Sequence, residues 1–214
     1  YKNNKEQVLL SDTLSEEVSS DEGLTKNTKI FSGQVAKPWR MFLSSEQQSI
    51  ELRSNSGKLP GIAYRTVDKV VQEDAFRLDT TGTAKTGVVF SSSFSEDLGF
   101  ELEQNSALVI TVKRDSSITA PVVVEMHCES IGDALGSCRA AVDITQQMQT
   151  IEQGQWQDIA INLQCFVKKG IAMDKVVSPF ALYTHGAVKL SISDIHYQPQ
   201  AEVNTPKPLL IQCP

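Results

Sequence analysis

Hydrophobic and polar residues alternate in short stretches along the central part of the chain. A period of two is typical of β-strands that bury one face, because successive side chains on a strand point to opposite sides. Turn-forming residues separate the stretches, and no alternation of strands with long helices is found, which disfavours a parallel doubly wound sheet. The stretches that alternate or are rich in β-branched residues are 49–53, 86–90, 107–113, 122–127, 140–144, 159–163 and 188–193.

The last of these stretches changes phase near its end. Leu190 and Ile192 share one parity along the strand, whereas Ile195 and Tyr197 have the opposite parity. One extra residue at Asp194 would account for the change, so the pattern predicts a β-bulge there.

Helical patterns are weak and short. Residues 95–98 could form one or two turns, Thr145 could cap a short helix that ends near Gly154, and residues 166–170 could form a turn that ends at Gly170. We therefore predict an all-β fold, an antiparallel β-sandwich of jelly-roll type with one or two short helices.

The two ends of the chain differ from its centre. Residues 1–28 are acidic and poor in core-forming side chains, which is typical of a linker. Residues 199–214 contain four prolines and form a predicted Pro-rich tail that no helix or central strand could accommodate. The predicted folded unit is therefore 29–198. Because the first residue is Tyr1 rather than Met, we interpret the N-terminus as a processed end or a cut through a longer polypeptide.

Composition narrows the class of protein. With 214 residues and 40% hydrophobic residues, the chain can bury the core of one ordinary domain. A net charge of -6 argues against nucleic-acid binding, which needs a basic surface, and against docking on anionic membranes. No apolar run approaches the roughly 20 residues of a membrane span, so we expect no membrane insertion.

The cysteines indicate an oxidising compartment. Cys128 ends one predicted strand and Cys138 begins the next, a spacing that favours a disulfide across a hairpin. The alternative is a metal site that would recruit His127, but a fourth ligand at zinc spacing is missing from the sequence. We interpret Cys165 as a small buried hydrophobic residue and Cys213, in the tail, as unpaired.

The sequence contains no recognisable catalytic motif, whether a nucleophile elbow, a zinc-protease helix, a phosphate loop or a dinucleotide fingerprint. Glu73 and Asp74 are adjacent, so on a strand they would point to opposite faces and could not act as a glycosidase pair on one substrate. We interpret them as a buried hydrogen-bonding hub or a solvated strand end. We predict no catalytic residue and no cofactor.

Three residues are candidates for binding. Trp39 and Trp156 are the only tryptophans, and each is either a platform on which a sugar ring stacks or a core residue. Asp194, at the predicted bulge, could ligate a structural Ca²⁺ through oxygen. Apart from that possibility we expect no metal.

Two stretches of the sequence are familiar. One is Gln72-Glu73-Asp74-Ala75, and the other extends from Cys128 to Ile195. Within roughly 60–197 they resemble the C-terminal galactose-binding-like β-sandwich of bacterial family 3 glycoside hydrolases, of the β-glucosidase and exo-1,3/1,4-β-glucanase type. The residues that carry the resemblance in the second stretch are Cys128, Cys138, Gly154-Gln155-Trp156, Leu163-Gln164-Cys165-Phe166, Gly170, Met173, Ser178-Pro179-Phe180, Thr184-His185-Gly186 and Ile192-Ser193-Asp194-Ile195.

The resemblance implies a non-catalytic role. The catalytic domains would precede this chain in a parent retaining β-glucosidase, and the family's Ser-Asp-Trp motif does not occur here. Tyr1 would then be the last residue of a Gly-Tyr-Gly-Leu-Ser-Tyr type segment. The implied partners are the catalytic domains of the same polypeptide and a β-glucan or gluco-oligosaccharide, in the periplasm or outside a bacterial cell.

Three functions follow as hypotheses. The domain packs on the catalytic domains and shapes substrate access to their site. Alternatively, it is an autonomous carbohydrate-binding module for β-glucan. The third hypothesis is that the chain is itself a small hydrolase. It would need a catalytic constellation, and the sequence shows none.

Overall fold

Two β-sheets pack face to face in the part of the chain that the structure, a computed structural model, describes: residues 28–130, 138–199 and 208–213. The predicted linker therefore lies outside the described residues except for Thr28, and most of the predicted tail lies outside them as well.

The described residues form fifteen strands, three short α-helices and one turn of 3-10 helix, Met173–Lys175. The strands are β1 (Lys29–Ser32), β2 (Gln34–Val35), β3 (Arg40–Ser45), β4 (Ser49–Glu51), β5 (Ser56–Leu59), β6 (Ile62–Val67), β7 (Ala75–Thr80), β8 (Thr86–Ser91), β9 (Ser106–Arg114), β10 (Val122–Cys128), β11 (Arg139–Asp143), β12 (Trp156–Asn162), β13 (Val176–Thr184), β14 (Lys189–Pro199) and β15 (Leu209–Ile211). The helices are α1 (Gly99–Glu103), α2 (Thr145–Thr150) and α3 (Gln164–Val167).

The strand order defines the two sheets. Sheet A runs β15-β12-β9-β14-β7-β6-β5, with β1 added beside β14 and β2 beside β1. Sheet B runs β11-β10-β13-β8-β3-β4. Among the described strands every pairing is antiparallel except that of β12 with β15. The predicted antiparallel β-sandwich is thereby confirmed.

Side chains from the inner faces of both sheets form one core. Phe76 of sheet A and Phe90 of sheet B are fully buried, and their ring centroids are 6.3 Å apart. Phe31 contacts both rings edge-on, at 5.1 and 6.0 Å. Because the core lies between the sheets, the alternate residues of each strand are left for the two outer faces.

The predicted bulge in β14 is confirmed, since its pairing with β9 shifts register between Ile192 and Asp194. The bulge lies where β14 exchanges neighbours: its residues up to Ile192 pair with β7, and those from Asp194 onward pair with β1.

The helices follow the sequence only in part. A helix is present near Thr145 as α2, but its N-cap residue is Ile144 rather than Thr145 and it ends at Thr150, before Gly154. The third helix, α3, overlaps the turn predicted at 166–170. The first helix begins at Gly99, just after the stretch in which it was expected. The described residues thus form three α-helices, whereas one or two were predicted.

Several strands escaped the sequence analysis. β13 contains Pro179, which argues against a central strand on sequence grounds, yet β13 lies between β10 and β8. β15 lies within the predicted tail, as an edge strand beside β12.

The interpretation of two cysteines was wrong. Cys165 is fully buried, as expected, but it forms a disulfide with Cys213, with the Cα atoms 5.2 Å apart. Cys213 lies just beyond β15, so the bond ties this edge strand to the domain. The pairing could not be predicted from the sequence, because the two cysteines are 48 positions apart and come together only in the folded domain.

Candidate functional site

The outward face of sheet B carries a groove of about 330 Å³. Cross-strand neighbours line up on this face, one from each strand. The central row is Glu51, Phe42, Val89, Ala181, Glu125 and Ala141. The lining of the groove combines aromatic, aliphatic and hydroxyl side chains with one imidazole: Phe42, Ser44, Ser49, Val89, Ser91, His127 and Tyr183. Apolar walls with a few polar groups are typical of small-molecule sites.

The ring of Tyr183 lies across the neighbouring strand β8. Tyr183 pairs with Gly87, and a Cβ atom at Gly87 would be only 2.6 Å from the Cδ1 atom of the ring. The Tyr183 hydroxyl forms a hydrogen bond with Ser44, one strand further on. Glycine is therefore required at position 87 for the close approach of both the Leu182 carbonyl oxygen, with which such a Cβ atom would collide, and the tyrosine ring.

A charged cluster stands beside this ring. The side chain of Glu125 is only 6% exposed, and one of its carboxylate oxygens accepts a hydrogen bond from Lys85 Nζ at 2.8 Å. The other oxygen lies 3.1 Å from His127 Nε2 and 3.9 Å from Arg139 Nε. The Lys85 ammonium also lies 4.3 Å from the centroid of the Tyr183 ring, a cation–π contact.

The cluster holds Glu125 ionised. Burial by itself raises the pKa of this carboxyl, but hydrogen bonds from His127 and Lys85 and the charges of Lys85 and Arg139 outweigh it and lower the pKa to about 2. Burial raises the pKa of Tyr183, and the nearby Glu125 charge adds to this effect. Near neutral pH, Glu125 is thus a hydrogen-bond acceptor rather than an acid.

Phe42 and a second ion pair mark the opposite end of the row. Arg40 Cζ lies 5.5 Å from the centroid of the Phe42 ring, and Arg40 Nη1 lies 3.9 Å from the Glu51 carboxylate. Arg53 donates to the same carboxylate at 2.7 Å. The groove therefore has charged hydrogen-bonding groups at both ends and apolar side chains between them.

The spacing of the two carboxylates excludes glycosidase chemistry by this pair. Glu51 and Glu125 occupy the same row but are separated by four strand-to-strand steps. At about 4.8 Å a step, the separation is about 19 Å, whereas glycoside hydrolysis needs about 5–10 Å. The arrangement can bind a ligand through stacking and hydrogen bonds.

The tryptophans lie elsewhere. Trp39 belongs to the core and is 8% exposed, so its face is not available for stacking, which favours the alternative of a core residue. Trp156 is half-buried at the start of β12, on the outer side of sheet A. The ammonium groups of Lys69 and Lys113 lie 5.2 and 5.1 Å from the indole, so its environment is cationic.

Cys128 and Cys138 form a disulfide in the structure, with the Cα atoms 5.1 Å apart. The alternative with His127 as a metal ligand does not fit this arrangement, because His127 faces the groove and its neighbour Cys128 is buried and disulfide-bonded. In the described part of the chain, no group of three or more His, Cys, Asp and Glu side chains could hold a metal ion.

Asp194 is engaged by protein groups. Its carboxylate forms hydrogen bonds with His196 and Ser32, which lower its pKa although burial alone would raise it. The same contact raises the pKa of His196 against the effect of burial. These partners occupy the oxygens that a Ca²⁺ ion would need, and Asp194 as a Ca²⁺ ligand remains a prediction.

The two adjacent acids before β7 organise a loop. The Asp74 carboxylate accepts hydrogen bonds from the backbone N–H groups of Val70 and Val71 at 2.9 and 3.0 Å. Glu73 accepts one from Asn55 Nδ2 at 2.7 Å. The interpretation as a hydrogen-bonding hub is confirmed, although the hub is exposed rather than buried.

Sequence reasoning missed most of the groove. The alternation in 122–127 already placed Glu125 and His127 on one side of a strand, opposite Val124 and Met126. Tyr183 and Phe42 gave no such signal, because nothing in the sequence tells which strands become neighbours. The cluster joins residues 40 positions apart, Lys85 and Glu125, through strand pairing alone.

Helices that could cross a membrane are not found within the described ranges. No curated protein matches the sequence.

Solved structures share the fold. The exo-1,3/1,4-β-glucanase of a Pseudoalteromonas species superposes with a TM-score of 0.69 at 15% identity over 90% of this chain, which spans only 22% of that enzyme. Its isolated extra C-terminal domain gives 0.66 at 15% identity, over 87% of this chain and 99% of that domain. The family 30 carbohydrate-binding module of a cellulosomal cellulase of Clostridium thermocellum gives a TM-score of 0.57 at 14% identity, over 82% of this chain and 98% of that module.

The sequence matches a family model directly. The model is Exop_C, described as galactose-binding domain-like, and the match extends over residues 37–197, from just before β3 to near the end of β14. This range covers all of sheet B, every residue of the groove, and sheet A apart from β1, β2, β15 and the end of β14. The chain therefore belongs to the Exop_C family of galactose-binding-like domains.

Proposed function

We propose that this domain is a non-catalytic module of a β-glucan-degrading enzyme and that it binds gluco-oligosaccharide chains in the groove on sheet B. The observation that carries the proposal is the ring of Tyr183 against Gly87 in the groove that Phe42 and Val89 also line, next to the charged Glu125 cluster. A flat aromatic ring offers a face to the C–H groups of a pyranose, while carboxylate, imidazole and hydroxyl groups suit its hydroxyls.

Two further observations support a glucan ligand. The structural relatives named above include a carbohydrate-binding module and the extra domain of an exo-1,3/1,4-β-glucanase. The groove is open along the row of cross-strand neighbours, from Glu51 to Glu125, so an extended chain could lie across several strands. A parent enzyme of family 3, with retention of configuration, belongs to the same proposal.

Calorimetric titration of the 214-residue chain with cellohexaose and with laminarihexaose tests the proposal. Tyr183→Ala should weaken binding at least about ten-fold, since stacking and its flanking contacts contribute about 1.5 kcal/mol. Trp156→Ala, a matched aromatic deletion on the other sheet, should leave binding unchanged. Absence of binding to either sugar, or equal binding by the wild type and Tyr183→Ala, would contradict it.

Packing on catalytic domains is a second candidate, favoured by a different observation. Phe94 is 79% exposed and Phe100 53% exposed, on the segment that leads from β8 into α1. Exposed aromatic residues mark an interaction surface when they form one contiguous apolar patch, so this second candidate requires that Phe94 and Phe100 belong to one patch. If the parent enzyme keeps its stability and its kcat/KM on oligosaccharides when the domain is deleted, this role is excluded.

The disulfides bear on localisation. Cys128–Cys138 and Cys165–Cys213 account for all four cysteines of the sequence. Disulfides persist in oxidising compartments, which supports a periplasmic or extracellular bacterial location as part of the proposal.

A further inference from the structure

The ring of Tyr183 lies against Gly87 of β8, and a lysine ammonium lies over the ring. The inner face lies over Gly87, where a Cβ atom would be 2.6 Å from the ring. The Lys85 ammonium lies 4.3 Å from the ring centroid. Since the sheet occupies the inner side, the ammonium lies on the outer side, where a ligand in the groove would stack.

The lysine is anchored beyond the ring. Lys85 immediately precedes β8, and its ammonium donates to Glu125 of β10 at 2.8 Å. Strand β13, which carries Tyr183, lies between β8 and β10. The Lys85 side chain therefore crosses over the tyrosine to reach the carboxylate, and it is only 29% exposed.

We propose that Lys85 is a latch over Tyr183 that a β-linked glucan chain must displace to bind. The inference rests on the proposed function of the groove and adds a regulatory residue to it. A pyranose ring and the ammonium cannot contact the same ring face together, since both need about 4–6 Å from the ring centre. Binding therefore requires that the cation–π contact and the contact with Glu125 be broken.

Glu125 can release the lysine without becoming unpartnered. His127 and Arg139 remain beside its second oxygen, at 3.1 and 3.9 Å. The displaced lysine side chain can extend into solvent, where an ammonium is well hydrated. Salt screens the attraction between Lys85 and Glu125 only in part, because their side chains are 29% and 6% exposed, so raising the salt concentration should favour the open latch and tighten glucan binding modestly.

Titration of the 214-residue chain and its Lys85→Ala variant with cellohexaose and laminarihexaose, at low salt and in about 0.5 M salt, tests the latch. We expect Lys85→Ala to bind at least about five-fold more tightly at low salt, because loss of the cation–π contact alone corresponds to about that factor and loss of the contact with Glu125 adds to it. The wild type should bind more tightly as salt rises, while the variant should not respond. Lys113→Ala, which removes the lysine over Trp156 on the other sheet, is the matched control and should behave as the wild type.

The double variant Lys85→Ala/Glu125→Gln guards against misfolding, because it removes the buried charge of Glu125 together with its closest cation. It should also bind more tightly than Glu125→Gln alone. If Lys85→Ala binds as the wild type does or more weakly, while Tyr183→Ala weakens binding at least about ten-fold, the latch is wrong and the binding role of the groove stands. If no variant with a cleared ring binds either sugar, both the latch and the proposed function are overturned.

Discussion

Gly87 is the residue on which the geometry of the groove depends most. Any side chain there would collide with the backbone of Leu182 and with the ring of Tyr183. We expect Gly87→Ala to lower the free energy of unfolding by about 1–3 kcal/mol, as overpacking does, and to weaken glucan binding by lifting the tyrosine. Urea unfolding and calorimetric titration measure the two effects.

Gly99→Ala provides the control for this substitution. The nearest atom to its added Cβ is the tip of the Asp97 carboxylate, which can move. A Gly87→Ala domain as stable and as well binding as Gly99→Ala would show that the tyrosine does not need the glycine.

Glu125 should make the stability of the domain depend on acid pH. Its pKa is lowered to about 2 in the fold, from an ordinary value of 4.5, so its contribution is present above pH 4.5 and is lost as the pH falls toward 2. The full effect amounts to about 3 kcal/mol. Urea unfolding between about pH 5 and about pH 2 should show a steeper loss for the wild type than for Glu125→Gln. Parallel curves would contradict this role of the carboxylate.

Residue chemistry was predictable where it depends on local sequence. Asp194 at a bulge and Glu73 with Asp74 in a hydrogen-bonding hub were both expected from neighbouring residues. The roles of Lys85 and Tyr183 were not, because each depends on a partner strand far away in sequence. From the sequence, the two tryptophans were the candidates for stacking on a sugar, because they are the rarest aromatic residues. In the structure, the aromatic residues that line the groove are Tyr183 and Phe42.

At the scale of elements, the edge strand β15 depends on a covalent tie. It contributes only three residues to its parallel pairing with β12, and Cys213 lies just beyond it. Seven of the fifteen described strands were found in the sequence, whereas others were missed, among them β3, β6 and β7. The missed β13 contains a proline and β15 directly follows one. A proline disfavours a strand locally, but tertiary contacts can outweigh this preference. The Cys165–Cys213 disulfide fixes β15 in place, and pairing with β10 and β8 does so for β13.

Removing the Cys165–Cys213 bond should destabilise the domain. The bond closes a loop of 48 residues, for which loop entropy gives about 4 kcal/mol. We expect Cys213→Ser to lower the free energy of unfolding by about 3–4 kcal/mol, as measured by urea unfolding. Cys165→Ala/Cys213→Ser, which leaves no free thiol in the core, serves as the control. A midpoint equal to that of the wild type would contradict the assigned pairing.

On the scale of the whole molecule, the two outer faces of the sandwich differ in kind. Sheet B presents the aromatic groove, whereas sheet A presents Trp156 between lysines and the Asp194–His196 pair. The sequence was sufficient to predict the sandwich, because alternation and the family resemblance pointed the same way. It could not predict which outer face carries the groove, because that depends on strand order.

The most direct test of the account is a map of backbone amide chemical shifts of the 214-residue chain during titration with cellohexaose and laminarihexaose. If the sugar binds in the groove on sheet B, chemical-shift perturbations should centre on β3, β8, β10 and β13, with the largest near Tyr183 and Gly87. Perturbations centred on Trp156 and the outer face of sheet A, or none with either sugar, would contradict it.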